Sequence, residues 1–268
     1  MNLTTLSNEN IENYNRYLNR MSKSYEKSSK GLIPIFSKGK ILDVECGSGI
    51  LLENLTNADG IDLNQNSVDI CKSKGLNVEC KALKDVTNKY DTIIFSSVLH
   101  EISSYDEEAR FTKLPIINAL NDAKNILNDN GQIIIRDGIQ AEIGTSTLEV
   151  KSKKVIDDII KYFYDAPMYM LEYIKVENYK VTANNHFLKE FMFTYTWGKD
   201  SYFREAQEKY GILRKNEWIK IVEDAGLKIN VLKTFKEEYV KYLSKYFIVN
   251  EDLVKLLTES TIFIVAEK

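Results

Sequence analysis

Between residues 40 and 138 the chain alternates short apolar runs with amphipathic stretches, and the two periods predict strands and helices in succession. Positions 40–46, 58–63, 77–82, 90–97 and 131–138 read as strands, two of them centred on the buried-type runs Thr92-Ile93-Ile94-Phe95 and Gln132-Ile133-Ile134-Ile135. Helices are predicted over 50–55, 67–74 and 115–127, where Pro115 suits a first helical turn. Strands alternating with helices at this spacing predict a parallel sheet covered on both faces. In such sheets, ligands bind at the carboxyl ends of the strands, near the point where strand order reverses.

The flanks differ. Residues 11–30 read as a helix with apolar positions at Ile11, Tyr14, Leu18 and Met21. The stretch 139–215 looks mainly helical and holds 14 of the chain's 29 aromatic residues. Alternation resumes with a helix over 216–225, closed by Gly226 as a C-cap, then strands at 228–235 and 261–266 around a helical piece, 237–257. With no repeat and no low-complexity linker, the aromatic stretch is an insertion on one domain.

Composition changes this picture little. Apolar residues are 44% of the 268 and charged residues 28%, as in ordinary globular proteins. A net charge of −3 disfavours wholesale polyanion binding, and the basic excess of the first forty residues suits a solvated helix face. Three scattered cysteines (Cys46, Cys71 and Cys80) form neither a disulfide framework nor a zinc pattern. No signal pattern opens the chain and no apolar run reaches membrane-spanning length, so a cytoplasmic, reducing setting is expected.

The chemistry concentrates at Leu42-Asp43-Val44-Glu45-Cys46-Gly47-Ser48-Gly49, a turn that follows a strand and opens a helix. Its glycines let backbone pass close to a ligand. Asp62 ends the next strand, nineteen residues after Asp43, where a carboxylate can accept from both ribose hydroxyls. These residues resemble the glycine-rich motif of the class I S-adenosylmethionine-dependent methyltransferases, apolar-Asp-apolar-Gly-Cys-Gly-x-Gly. Gly60-Ile61-Asp62-Leu63 resembles that family's ribose-binding motif, and 90–100, ending Val98-Leu99-His100, its fourth. Leu127 with Gly131-Gln132-Ile133-Ile134-Ile135 resembles the entry to strand five, and 216–227 the last helix before strand six.

The resemblance covers roughly 40–140 and 215–268. It implies a Rossmann-like, mostly parallel seven-stranded α/β sheet with an antiparallel last strand and helices on both faces. It also implies an N-terminal helical lid (1–38) and a cofactor-binding core (39–139 and 216–268), while the aromatic content of 140–215, outside the resemblance, suggests a helical cap over the substrate. Carried over position by position, it implies that Asp43, Glu45, Gly47, Gly49, Asp62, Leu63, Ala82, Leu83 and Ser96 hold S-adenosylmethionine, with S-adenosylhomocysteine as product. Two positions depart from the family. Glu45 replaces the first glycine, and Lys81 replaces an Asp that accepts from the adenine amino group, a role no lysine can fill. Either Glu45 attracts the cofactor's cationic groups, or it turns away and caps a backbone group.

Methyl transfer needs alignment and water exclusion above all, and a base only for a protonated or hydroxyl acceptor. His100, oriented by Glu101, is a candidate base or positioning group; equally, it is a packed helix-start histidine. Arg136 and Asp137 end strand five, either contacting an acceptor carboxylate or pairing with each other. His186 reads as structural. Tyr195, Trp197, Tyr202 and Arg204 either line an acceptor pocket or belong to the cap's own core. A small-molecule acceptor is the leading expectation. Nucleic acid is less favoured, since Ser96-Ser97-Val98-Leu99 lacks the Asn-Pro-Pro-Tyr type of stretch and the chain has no Pro-Cys dipeptide. RNA or protein methylation and a non-catalytic cofactor-binding scaffold remain alternatives; no feature bears on oligomeric state.

Overall fold

The computed structural model of this chain describes residues 29–167, 173–198, 201–236 and 239–268. The helix expected over 11–30 lies outside the described residues except at its last two positions, and so does most of the expected lid. The described chain opens with a 3₁₀ turn, Ser29–Leu32, and a short helix, α1 (Ile33–Phe36), with Pro34 in its first turn.

The predicted alternation then appears in order: β1 (Ile41–Val44), β2 (Ala58–Asp62), α2 (Gln65–Ser73), β3 (Val78–Cys80), β4 (Tyr90–Ser96), α3 (Leu99–Tyr105), α4 (Leu114–Ile126) and β5 (Leu127–Gly138). The helix expected over 50–55 is only a 3₁₀ turn, Leu52–Asn54. Local capping explains where α2 starts: the Asn64 side chain accepts from the Asn66 amide at 3.0 Å. After the insertion come α8 (Lys215–Asp224), β9 (Lys228–Phe235) and β10 (Thr261–Glu267). Gly226, at φ +75°, supplies the left-handed residue that ends α8.

One seven-stranded sheet results, in the order β3-β2-β1-β4-β5-β10-β9. The pairs from β3 to β5 are parallel, and β10 lies antiparallel between β5 and β9. Strand order reverses between β1 and β4, both of which pair along their full register. Period two explains the runs of buried residues. Leu42, Ile93, Phe95, Ile133 and Ile135 pack one face against Ile116 and Leu120 of α4 and Trp218 of α8. Ile41, Ile94, Ile134, Phe263 and Val265 pack the other against Ile33 and Leu51.

The insertion, expected to be mainly helical, also contains a three-stranded antiparallel sheet. Its strands β6 (Thr145–Glu149), β7 (Ile174–Glu177) and β8 (Lys180–Asn184) run in the order β6-β8-β7. Thr147 Oγ1 and Thr182 Oγ1 meet at 2.7 Å across its central pair. Against it lie α5 (Lys153–Asp165) and α6 (Asn185–Trp197), with a short α7 (Tyr202–Glu205) beyond. The helical piece expected over 237–257 is two helices, α9 (Tyr239–Leu243) and α10 (Glu251–Leu257), the second capped by Asn250 on the Leu253 amide at 2.9 Å. Leu243, Phe247, Leu253, Leu256 and Leu257 pack into the insertion's core with Tyr162, Phe187 and Phe191, not into the large sheet's core. The unit over the sheet is therefore built from two separate chain segments.

Candidate active site

The loop after β1 turns through left-handed backbone: Glu45 has φ 54°, Gly47 56° and Gly49 77°. Glycine adopts this region freely; a glutamate there is strained by about 1–3 kcal/mol. A Cβ on Gly49 would meet Leu76 at 2.4 Å and the Cys71 sulfur at 2.9 Å, so this turn is locked against α2 and its flank. A Cβ on Gly47 would meet nothing within 4 Å, so the loop is open on that side.

Three carboxylates converge on this opening. Asp62, at the end of β2, accepts the Gly47 amide at 2.8 Å and the Asn64 amide at 2.7 Å, tying the loop to the start of α2. Glu45 accepts the Leu63 amide at 3.2 Å. Asp43 is buried and makes no hydrogen bond among the described residues. Burial pushes Asp43 up to about 7, with Lys30 pulling it down and Asp62 pushing it up. Burial, reinforced by Asp62, Glu101 and Asp43 and opposed by the Leu63 amide, pushes Glu45 up to about 8. Burial raises Asp62 too, against its two amide bonds. A cluster of buried carboxyl groups, each with raised proton affinity, thus lines the opening.

The other positions around the loop are equally specific. Leu63 is largely exposed, whereas Ala82 and Leu83 are half-buried at the 3₁₀ turn Leu83–Asp85. Lys81 pairs with Glu79 at 2.5 Å, so its ammonium is committed to the surface. Ser96 ends β4 with its hydroxyl buried and without a partner among the described residues. Ser97, at φ 61°, turns the chain, and its amide donates to the Arg136 carbonyl at 2.6 Å.

Arg136 and Asp137 do not pair with each other. As neighbours on β5 they leave on opposite faces. Arg136 donates from Nε to Ser29 Oγ at 2.8 Å and from its other nitrogen to Ser97 Oγ. Asp137 instead holds His100: its Oδ1 lies 2.6 Å from Nδ1, and its Oδ2 accepts the His100 amide at 3.2 Å. His100 is 4% exposed, with its ring 4.9 Å from that of Tyr210. Burial by itself disfavours the charged ring, but Asp137, with Glu101 and Glu208 beyond it, outweighs this and pushes the imidazole to about 10.

A second acidic group faces His100 from the insertion. Glu208 Oε2 is 3.9 Å from His100 Nε2, and its Oε1 accepts from Tyr105 at 2.8 Å. Glu205 holds Arg204 at 2.5 Å and receives the Tyr210 hydroxyl. Burial raises Glu101, which His100 and Arg204 oppose, and burial raises Glu208 further, with Glu101 and Glu205 adding to it. Glu190 of α6 is buried and accepts the Tyr210 and Gly211 amides, each at 2.7 Å. The Ser104 hydroxyl accepts the Lys209 amide at 2.9 Å, while Arg110 donates to the Ser104 carbonyl at 2.7 Å and the Gln207 carbonyl at 2.9 Å. This lattice fixes segment 205–211 over the end of β4.

Of the four aromatic and basic positions singled out in the insertion, only Arg204 reaches this group. Tyr195 stacks on Phe191 at 4.9 Å and donates to Asp158 at 2.9 Å, and Tyr202 packs near Tyr162 at 6.2 Å, both against the insertion's core. Trp197 is half-buried at the end of α6, and His186 lies in that helix's first turn. Sequence reasoning missed Glu208, Glu205, Glu190 and Tyr210. On a helical pattern, Glu205 and Glu208 look like a solvated face, and no local signal marks their burial. Asp137 was visible, but not its partner.

A family model for the methyltransferase domain matches residues 9–230. Over 85 residues the sequence is 35% identical to the mitochondrial ubiquinone biosynthesis O-methyltransferase of Saccharomyces cerevisiae, covering 26% of this chain and 27% of that relative. The chain therefore spans only about a quarter of that relative's length. Among solved structures, an S-adenosylmethionine-dependent methyltransferase from Archaeoglobus fulgidus matches with TM-score 0.53 and 15% identity, over 95% of this chain and 99% of that one. One from Mesorhizobium loti matches at 0.52 and 13%, over 91% and 98%. The plantazolicin methyltransferase BpumL, solved with S-adenosylhomocysteine, matches at 0.50 and 15%, over 98% and 91%. At these identities the structures speak for the fold.

Proposed function

Because this chain belongs to the methyltransferase-domain family, and with it to the class I S-adenosylmethionine-dependent methyltransferases, we propose that it methylates a hydroxyl group on a small molecule. The acceptor sits between the carboxyl edge of the large sheet and segment 205–211. The observation that carries this reading is the roofing of His100 and Glu101 by buried Glu208 and Glu205. Buried charge under a fixed roof suits a compact polar acceptor and leaves little room for a polymer. The name of the yeast relative, an O-methyltransferase, supports an oxygen acceptor. The three cysteines are free, and no helix among the described residues is long and apolar enough to cross a membrane; a cytoplasmic site of action fits both.

The residues present fit the cofactor. When bound, S-adenosylmethionine supplies a methyl group made electrophilic by its sulfonium, and S-adenosylhomocysteine is the product. Asp62 retains lone pairs for the ribose hydroxyls after accepting Gly47 and Asn64. Asp43, buried without a hydrogen bond among the described residues, and Glu45 would, when ionised, attract the ammonium and sulfonium charges. Ala82 and Leu83 would flank the adenine with backbone and apolar contacts, since Lys81 is held by Glu79. Segment 205–211 excludes water from the acceptor side.

On that side His100 is a positioning group rather than a base. Its Nδ1 is committed to Asp137, which holds the ring in place and leaves only Nε2 toward the acceptor side. Glu101, half-buried and free of hydrogen bonds among the described residues, is the group left to take the acceptor's proton. Its raised proton affinity suits that role. The test is release of S-adenosylhomocysteine with panels of hydroxylated aromatic small molecules, amines, transcribed RNA and unfolded protein. Turnover with the hydroxylated compounds is expected; turnover confined to RNA or protein would overturn the reading.

A further inference from the structure

We propose that His100, Glu101 and Glu208 form a divalent-cation site that also takes the acceptor's hydroxyl oxygen as a ligand. The proposal rests on the small-molecule reading only for that last ligand. Among the described residues, these three bring one ligand atom each within 4.8 Å of the other two. Ligand distances of about 2.0–2.2 Å put neighbouring ligands about 3 Å apart, so closing onto a cation takes an inward shift of roughly an ångström or less, within reach of two glutamate side chains.

Carboxylates alone would say little, but the imidazole is a separate observation. His100 is 4% exposed and aimed into the group, yet its Nε2 makes no hydrogen bond among the described residues, the nearest carboxylate oxygen of Glu208 lying 3.9 Å away. Its Nδ1 is 2.6 Å from Asp137, which is 1% exposed and which also accepts the His100 amide. A carboxylate behind one ring nitrogen orients the ring, and a cation that displaces the proton on the other finds that nitrogen presented as a ligand. Each glutamate keeps at least one oxygen without a hydrogen bond among the described residues. Tyr105 holds Glu208 Oε1 and leaves Oε2 directed at the imidazole. Glu101 makes no hydrogen bond among the described residues.

Charge points the same way. Glu101, Glu205 and Glu208 crowd together beside Arg204, which is paired to Glu205. One imidazole nitrogen and two carboxylate oxygens suit zinc or manganese better than calcium, which prefers all-oxygen sites. Three protein ligands leave positions open for the acceptor. A cation there lowers the proton affinity of a bound hydroxyl. The proton passes to the oxygen of Glu101 that is not bound to the cation.

The test uses the full chain, with manganese as the probe and no acceptor present. Manganese titrated by electron paramagnetic resonance is expected to bind one equivalent, and pulsed spectra to show coupling to an imidazole nitrogen. The chain has only two histidines, so His186→Ala should retain that coupling and His100→Ala lose it. Glu208→Gln should weaken manganese at least about tenfold, and Asp137→Asn about 10–100-fold, the range for removing the partner of a metal-bound histidine. S-adenosylhomocysteine affinity, measured in parallel, reports whether each variant is folded. Absence of nitrogen coupling in the unmodified protein, or manganese affinity unmoved by both Glu208→Gln and Asp137→Asn, overturns the site. Turnover of a hydroxylated small molecule without manganese binding removes this proposal and leaves the broader one. Manganese binding with turnover confined to RNA or protein does the reverse.

Discussion

The two halves of the site are assembled in opposite ways. The cofactor half is local: Asp43, Glu45, Gly47, Gly49 and Asp62 lie within twenty residues of one another, and backbone amides of the same stretch set their carboxylates. The acceptor half is assembled from distant segments. His100 and Glu101 follow β4, Asp137 ends β5, and Glu205, Glu208 and Tyr210 arrive more than 100 residues after His100, pinned there by Glu190. A local motif can be kept while the remote roof is exchanged, so on the proposed reading the fold would carry the cofactor and the insertion the choice of acceptor.

If the halves are separable, damage to the insertion's core should spare the cofactor. Phe191 is fully buried there, stacked on Tyr195 and 5.5 Å from Tyr162. Phe191→Ala should cost about 3–5 kcal/mol in a urea unfolding transition. Calorimetric affinity for S-adenosylhomocysteine should stay within about twofold, the change expected for a distant, independent site. A collapse of cofactor affinity would break the comparison.

Asp62→Ala removes both amide bonds and the ribose contact, so cofactor affinity should fall about a hundredfold or more at roughly 1.5–3 kcal/mol per charged hydrogen bond. Retained affinity would take the cofactor away from this loop. On the other half, Glu208→Gln should lower kcat by about a hundredfold, the low end for losing a group that orders the proton transfer. Its S-adenosylmethionine affinity should not move.

A smaller effect comes from pH. Asp43 and Glu45 carry folded pKa values raised to about 7 and about 8, so both are largely neutral at pH 6 and ionise as pH climbs to 8. Because the folded state keeps protons that the unfolded chain releases near pH 4, the ligand-free protein should lose stability as pH rises from about 4, the loss levelling off once both folded groups have ionised above about pH 8. Cationic S-adenosylmethionine should gain affinity as the two groups ionise. The ratio of its affinity to that of S-adenosylhomocysteine should rise about tenfold between pH 6 and pH 8, about one pKa unit of coupling. A flat ratio would mean that the carboxylates do not face the sulfur.

The large sheet was legible because its strands are buried on both faces and read as continuous apolar runs, and because Asn64 and Gly226 mark helix ends with ordinary chemistry. The insertion was not. Strands such as Lys180–Asn184 mix charge with small polar residues, so their period is weak, and they are stabilised by cross-strand pairs that no single stretch contains. The helix expected over 50–55 shortened to a 3₁₀ turn where Leu51 and Leu52 pack into different cores. Glu45 was legible as a departure but not in its consequence. The structure gives it a left-handed backbone, a bond to the Leu63 amide and a place beside Asp62.

The central claim is that the acidic loop reads the charge on the cofactor's sulfur. It is tested most directly by titrating Glu45→Gln and the unmodified protein with S-adenosylmethionine and S-adenosylhomocysteine at pH 8. The expected result is a loss of several-fold to about tenfold for the sulfonium ligand and at least threefold less for the thioether, on the scale of one charge pair in a partly buried site. Equal losses for both ligands would contradict the claim and reduce Glu45 to a backbone cap.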